Sequence, residues 1–338
     1  MTQDGTARLA VDIGGTFTDV ALEHGGEVVA RKVPTTPAAP EDGVMNGVEA
    51  VLAAGGVAAD DVGLVLHGTT LATNAIIERK GARTALIVSE GFRDSVEMAY
   101  ENRFQQYDIN VEKPAPLVPR YLRWPVRERM SAKGLPVTAL DEASVAALSP
   151  EIARHGIESI AVGLLHAYAN DAHERRVGEM LRAAHPDIPV TLSSEVCPEI
   201  REYERLSTAC ANAYVQPIMA RYLGALAERL RGHGLACPLL MMMSSGGLTT
   251  LETAMRFPVR LVESGPAGGA ILASRIAAER GLDRVLSFDM GGTTAKICLI
   301  DDGAPQTARS FEVARAYRFT KGSGLPLRIP VIEMVEIG

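Results

Sequence analysis

The pattern that most narrows the choice of fold is a strand–turn–strand unit written twice. Residues 11–16 read Val-Asp-Ile-Gly-Gly-Thr, and residues 288–293 read Phe-Asp-Met-Gly-Gly-Thr. An apolar run precedes each copy and another follows it. Each second run ends in a polar turn, His24-Gly25-Gly26 in one and Asp301-Asp302-Gly303 in the other. Leu9, Val11 and Ile13 alternate with Ala10 and Asp12, the period-two signature of a strand. Glycine supplies the positive φ that such turns need. The copies lie too far apart for a solenoid. They predict two similar domains, here bounded as residues 1–195 and 196–338.

Between the copies, strands and helices alternate, which is the mark of an α/β fold. Val44, Val48, Val51 and Leu52 recur at helical spacing. Residues 63–70 (GLVLHGTT) and 84–92 (TALIVSEGF) read as strands around a helix over 71–81 that closes on Gly81. The segment from Val96 to Pro136 is rich in proline and reads as an irregular excursion or hairpin insertion rather than a core element. After it come helix (140–156), strand (157–169), helix (170–185) and strand (188–196). A long helix is expected over Glu202–Arg231 with a kink at Pro217. A strand (238–247) and a small-residue helix (265–281) lead into the second copy.

Composition bounds the function. A hydrophobic content of 47% and a mean hydropathy of +0.08 describe an ordinary globular chain, and 338 residues suffice for two cores. The net charge of −7 argues against a nucleic-acid partner, whose phosphates call for a basic face. No run approaches the roughly 18 apolar residues that span a bilayer, so no membrane association is expected. The start, MTQDGTARLAVDIGG, lacks the layout of a secretory signal. Cys197, Cys210, Cys237 and Cys298 fit no zinc spacing and read as reduced core thiols of a cytoplasmic protein.

Two readings of the glycine turns compete: plain turns, or cradles for phosphate. Repetition with the same flanks favours the cradle. Gly14, Gly15, Gly291 and Gly292 let backbone N–H groups approach an anion, and Thr16, Thr18, Thr293 and Thr294 add neutral donors. Asp12 and Asp289 repel phosphate, so they imply Mg²⁺ held directly or through water, with nucleotide phosphates beyond it. Neither GxxxxGK[ST] nor a strand–GxGxxG–helix unit is present. Paired hairpin phosphate loops are the arrangement of the actin-like (ribonuclease H-like) ATPase fold, shared by sugar kinases and heat-shock chaperones. The expected fold is therefore α/β and actin-like, with two related lobes.

At family level, VDIGGTFTDV, HGTTLATNAIIERKG, SSGGL, ESGPAGGA and FDMGGTTAK occur in the order seen in hydantoinase A and 5-oxoprolinase proteins, a group that includes acetone carboxylase β subunits. The chain resembles this family from about Leu9 to its last residue. The resemblance implies ATP- and Mg²⁺-dependent opening of a cyclic amide such as hydantoin, N-methylhydantoin or 5-oxoproline. The γ-phosphate activates the ring carbonyl, and water or a hydantoinase B-type partner completes hydrolysis. Alternatives are the carboxylase branch, a sugar kinase-like phosphotransferase, and a nucleotide-binding assembly subunit without chemistry. A homo-oligomer is compatible with all of them.

Carried over, Asp12, Gly14, Gly15 and Thr16 match the first phosphate loop, and Asp289, Gly291, Gly292 and Thr293 the second. Asp12 and Asp289 are the expected metal and catalytic carboxylates. Lys296 stands where the first copy has Asp19, and its ammonium is expected to steady phosphate charge. His67 ends a strand, where α/β enzymes place ligand contacts, and joins the catalytic set; Thr69, Thr70 and Asn74 are assigned to the substrate side. The competing reading of His67 is a helix-start cap. Glu263-Ser264-Gly265 reads equally as a helix N-terminus facing the cleft or as close packing on the sheet. The resemblance also implies that the second lobe is incomplete, the elements of the adenine pocket lying beyond Gly338. Full activity is then expected to draw on those elements from another chain.

Overall fold

The computed structural model describes residues 6–36, 38–290, 295–317 and 320–337. Two compact units share them. The first comprises Met1–Asn74, Met219–Arg309 and Pro330–Gly338, and the second Ala75–Ile218 and Ser310–Ile329. This partition is interleaved where the sequence division at 195/196 is linear, because strands distant in sequence complete a single sheet.

The first unit begins with β1 (Ala7–Ile13), β2 (Phe17–His24) and β3 (Glu27–Pro34), an antiparallel meander. β1 buries Ala7, Leu9, Val11 and Ile13, the face that alternation predicts. Helix Pro40–Gly55 covers β2 and β3 with Val44, Val48 and Val51. β4 (Val62–Thr69) then returns parallel to β1 and sets Gly68 beside Asp12 and His67 beside Val11. Helix Leu71–Ile77 is shorter than expected, with Arg79 in the left-handed region at φ 56°.

The second unit is built on a parallel sheet. β5 (Thr84–Ser89) pairs with β6 (Arg123–Val126) on one side. A small hairpin follows, β7 (Arg129–Met130) with β8 (Pro136–Thr138). β9 (Ser159–Gly163) and β10 (Val190–Leu192) complete the order β10-β9-β5-β6. β5 and β9 are buried at every residue, as sheets covered on both faces require. The reading of Val96–Pro136 as an excursion or hairpin insertion rather than a core element is corrected here: β6 lies within it and belongs to the sheet. Its four residues carry no alternation, and Pro125 is tolerated because β6 is an edge strand. Arg123 is 1% exposed because its guanidinium bonds Glu97 and Val118 O.

Helix Glu202–Gly232 runs through Pro217 and contributes residues to both units. Back in the first unit, β11 (Leu239–Met242) adds parallel to β4 and β12 (Leu248–Thr250) antiparallel to β11, giving the order β12-β11-β4-β1-β2-β3. Helix Ser264–Glu279 precedes β13 (Arg284–Met290), β14 (Ala295–Asp301) and β15 (Ala304–Pro305). These three strands repeat the opening meander: β13 pairs Asp289 with Lys296 as β1 pairs Asp12 with Asp19. Gly291, Gly292, Thr293 and Thr294 lie outside the described residues. The fold is thus mixed α/β with parallel sheets. Among the described residues no helix is long and apolar enough to cross a membrane.

Candidate active site

The turn after β1 is held by its carbonyls. Ile13 O accepts from Thr70 N and Thr70 Oγ1, both at 3.1 Å. Gly14 O accepts from Thr35 Oγ1 at 3.0 Å, and Thr16 O from Thr35 N at 2.9 Å. Because Thr35 spends its proton on Gly14 O, Thr18 Oγ1 donates to Thr35 Oγ1, at 2.9 Å. In a trans peptide the C=O and the following N–H point opposite ways. Pinning Gly14 O back onto Thr35 therefore turns the Gly15 N–H outward, on an exposed turn. Gly15 and Thr16 thus lie on the open side of the turn.

Thr18, Thr69, Thr70 and Asn74 make hydrogen bonds within the scaffold around that turn. Thr18 is fully buried, its hydroxyl engaged with Thr35. Thr69 is fully buried too. Its hydroxyl accepts from Leu71 N at the start of helix Leu71–Ile77, and its amide donates to Ser264 Oγ. Ser264 Oγ donates back to Thr69 O at 3.1 Å, clasping β4 to the N-terminus of helix Ser264–Glu279. Thr70 braces Ile13, and Asn74 Nδ2 donates to Thr70 Oγ1 while standing close to Gly15.

His67 is held from both sides. The ring is 1% exposed and lies between two partners. Val11 O can only accept, so Nδ1 at 3.2 Å carries the proton. Nε2 is then the acceptor for the Tyr222 hydroxyl, at 2.7 Å. Burial pushes the His67 pKa down to about 4, so the imidazole is neutral, and burial also raises the Tyr222 phenol. His67 thus ties β1, one residue before Asp12, to helix Glu202–Gly232; it does not cap a helix.

Asp12 opens onto a cavity of about 720 Å³ whose walls include Asp19, Lys32, Met242, Gly265 and Asp289. The two repeat aspartates therefore share one cavity inside the first unit. The walls crowd Asp12: a Cβ on Gly68 would lie 2.9 Å from its Oδ1, and one on Gly265 would lie 3.3 Å from both oxygens. Burial raises the Asp12 carboxyl pKa, with further contributions from Asp19 and Asp289; Lys32 opposes them. Lys32 itself pairs with Asp19 at 2.8 Å. Lys296 is paired with Glu263, a residue held at φ 63° just before helix Ser264–Glu279. Among the described residues no cluster of three or more His, Cys, Asp or Glu forms a ready-made metal cage. The chemistry nonetheless fits Mg²⁺, which keeps several waters and takes one or two carboxylates. A carboxyl raised by burial, with two further carboxylates beside it, is a local excess of negative charge that a cation relieves.

Sequence reasoning passed over Asp19 and Lys32 as cavity residues and Tyr222 as the partner of His67. Asp19 was within reach: a turn that pairs Ile13 with Thr18 places Asp19 opposite Asp12. Tyr222 carried no signal, being brought to His67 from 155 residues away.

Comparison with known proteins places this architecture. The family model described as "Hydantoinase/oxoprolinase N-terminal region" matches residues 8–185, and "Hydantoinase/oxoprolinase" matches residues 205–338. An uncharacterized protein of Methanocaldococcus jannaschii is 36% identical over 98% of this chain and 49% of its own length. The caprolactamase subunit alpha of Pseudomonas jessenii is 33% identical over 98% of this chain and 47% of its own. The crystal structure of that ATP-dependent caprolactamase superposes with a TM-score of 0.84 at 31% identity, covering 98% of this chain and 48% of that one. Nucleotide-free acetone carboxylase gives a TM-score of 0.84 at 27% identity with the same coverage. The chain spans about half the length of these relatives. Matched over nearly all its residues, the chain belongs to the hydantoinase/oxoprolinase family.

Proposed function

We propose that this chain carries an actin-like ATPase fold whose first-unit cavity takes Mg²⁺ and ATP, and that it serves the ATP-dependent hydrolysis of a cyclic amide. The observation that carries the reading is that Asp12 and Asp289, each ending the first strand of a matched hairpin, line the same cavity. Bound there, Mg²⁺ and ATP supply neutralised negative charge and a γ-phosphoryl group that activates a ring carbonyl. Asp12 and Asp289 hold the metal, directly or through its waters. The Gly15 amide and Thr16 meet phosphate oxygens, and by the sequence repeat Gly291, Gly292, Thr293 and Thr294 are assigned the same role. Thr18, Thr69, Thr70 and Asn74 keep the first turn in shape. His67 is a positioning residue that fixes the strand bearing Asp12. Lys296, held by Glu263, stands ready to exchange that partner for a phosphate oxygen. A hydantoinase B-type subunit is the proposed partner, and the cytoplasm, where the four free thiols persist, the proposed compartment.

The similarity to acetone carboxylase favours a second reading, in which the same phosphorylation activates a ketone for carboxylation. Product analysis separates the two. Turnover of ATP is measured with a panel of lactams, hydantoins and ketones, with and without a B-type subunit. The proposal expects a ring-opened amide with ADP and phosphate, and no turnover by Asp12→Asn. Lactam-stimulated turnover that persists in Asp12→Asn refutes the site; a carboxylated ketone as product refutes the reaction.

A further inference from the structure

The two hairpins differ at one charged position. Where β2 sets Asp19 opposite Asp12, β14 sets Lys296 opposite Asp289. Residues opposite each other in a ladder share a face of the sheet, with Cβ atoms about 5 Å apart. Lys296 therefore stands beside an aspartate that lines the large cavity. Its ammonium, however, is given to Glu263.

This pair is unlike the one in the first hairpin. Lys32 and Asp19 are 57% and 53% exposed, a solvated pair that contributes little. Lys296 and Glu263 are 17% and 18% exposed. A charge so far withdrawn from water needs a counter-charge, and removing one member leaves the other uncompensated. Glu263 is also held in place. Its amide donates to Thr73 Oγ1 at 3.1 Å, and the next residue, Ser264, is clasped to Thr69. Its backbone sits at φ 63° and ψ 27°, the left-handed region, although it carries a Cβ. Such strain gathers at functional sites. The Glu263 carboxylate caps no amide of the helix it precedes; it faces Lys296. Two residues on, a Cβ at Gly265 would lie 3.3 Å from both Asp12 oxygens. One helix start thus holds Lys296 and adjoins Asp12.

We infer that Glu263 is a latch on the nucleotide site: its carboxylate neutralises Lys296 in the free protein and yields it to an arriving phosphate oxygen. The exchange replaces one anion by another on the same ammonium, so Lys296 stays paired throughout. The released Glu263 carboxylate adds a negative charge to a wall that already holds Asp12 and Asp289, which opposes binding. Glu263 is therefore a positioning residue that lowers phosphate affinity through Lys296. The inference rests on the nucleotide reading proposed above and adds to it a residue that works against binding.

Calorimetry measures MgATP binding to the 338-residue protein, and thermal unfolding without nucleotide measures stability. In Glu263→Gln, Lys296 loses its counter-charge. The thermal midpoint should fall while MgATP binds about fivefold more tightly. A residue that merely shaped the site would lower stability and affinity together. Glu263→Gly, whose backbone suits φ 63°, should show the same gain in affinity with a smaller loss of midpoint. Lys296→Met should weaken MgATP about tenfold. Adding Glu263→Gln to Lys296→Met should leave its affinity unchanged, because the latch then has nothing to hold. Unchanged or weaker MgATP binding by both Glu263→Gln and Glu263→Gly overturns the inference, as does a gain that survives beside Lys296→Met. If those variants behave so while Asp12→Asn still weakens MgATP, the latch is refuted and the proposed site stands. If the wild type binds no MgATP, both fall.

Discussion

Replacing His67 with glutamine tests the central brace of the cleft through its pH signature. A buried histidine with a folded pKa of about 4 and an unfolded value of about 6.5 binds fewer protons folded than unfolded between those limits. Stability therefore rises with pH in that window. The contribution is fully present above about pH 6.5 and is lost as pH falls toward about 4. At pH 5, protonation of the unfolded chain at this site alone costs the native state about 2 kcal/mol, rising to about 3 kcal/mol near pH 4. Glutamine can still donate toward Val11 O and accept from Tyr222, but it does not titrate. Urea unfolding of both proteins is compared at pH 7.5 and pH 5. All other groups are shared, so the difference of differences isolates His67. The wild type should lose about 2 kcal/mol more than His67→Gln over this interval. In parallel, the wild-type imidazole NMR signal that is lost in His67→Gln should not titrate between pH 7.5 and 5.5. Equal losses in both proteins, or that signal titrating near 6.5, would show that His67 is neither sealed nor fully partnered.

Two further perturbations probe packing. Gly68→Ala puts a methyl group 2.9 Å from Asp12 Oδ1, and Gly265→Ala puts one at 3.3 Å. Both should weaken Mg²⁺-dependent ATP binding, Gly68→Ala by the equivalent of about 1–3 kcal/mol and Gly265→Ala by less, read by calorimetry. Gly81→Ala drives its Cβ to 2.1 Å from the Tyr214 ring. It should destabilise the second unit by about 1–3 kcal/mol, read as a lowered thermal midpoint.

Local chemistry was legible wherever the determining residues are neighbours in sequence. The alternation of β1, the turn at Gly14–Gly15 and the recurrence at Asp289 all follow from period-two patterning and glycine placement. β6 was missed because its character comes from its partner: four residues with a proline and a buried arginine become a strand only beside β5. The threonines were read as ligand donors because a hydroxyl's direction is invisible in sequence. In the fold, the Thr18 hydroxyl bonds Thr35 and the Thr69 hydroxyl accepts from Leu71 N.

The sequence alone determined that two matched hairpins exist and that each presents an aspartate before a glycine turn, since strand period and backbone freedom are properties of adjacent residues. Only the tertiary structure decided that both aspartates face one cavity, that Gly68 and Gly265 make room for Asp12, and that Tyr222 holds the His67 ring. Those are distances between segments far apart along the chain, set by sheet order and helix packing rather than by any local preference.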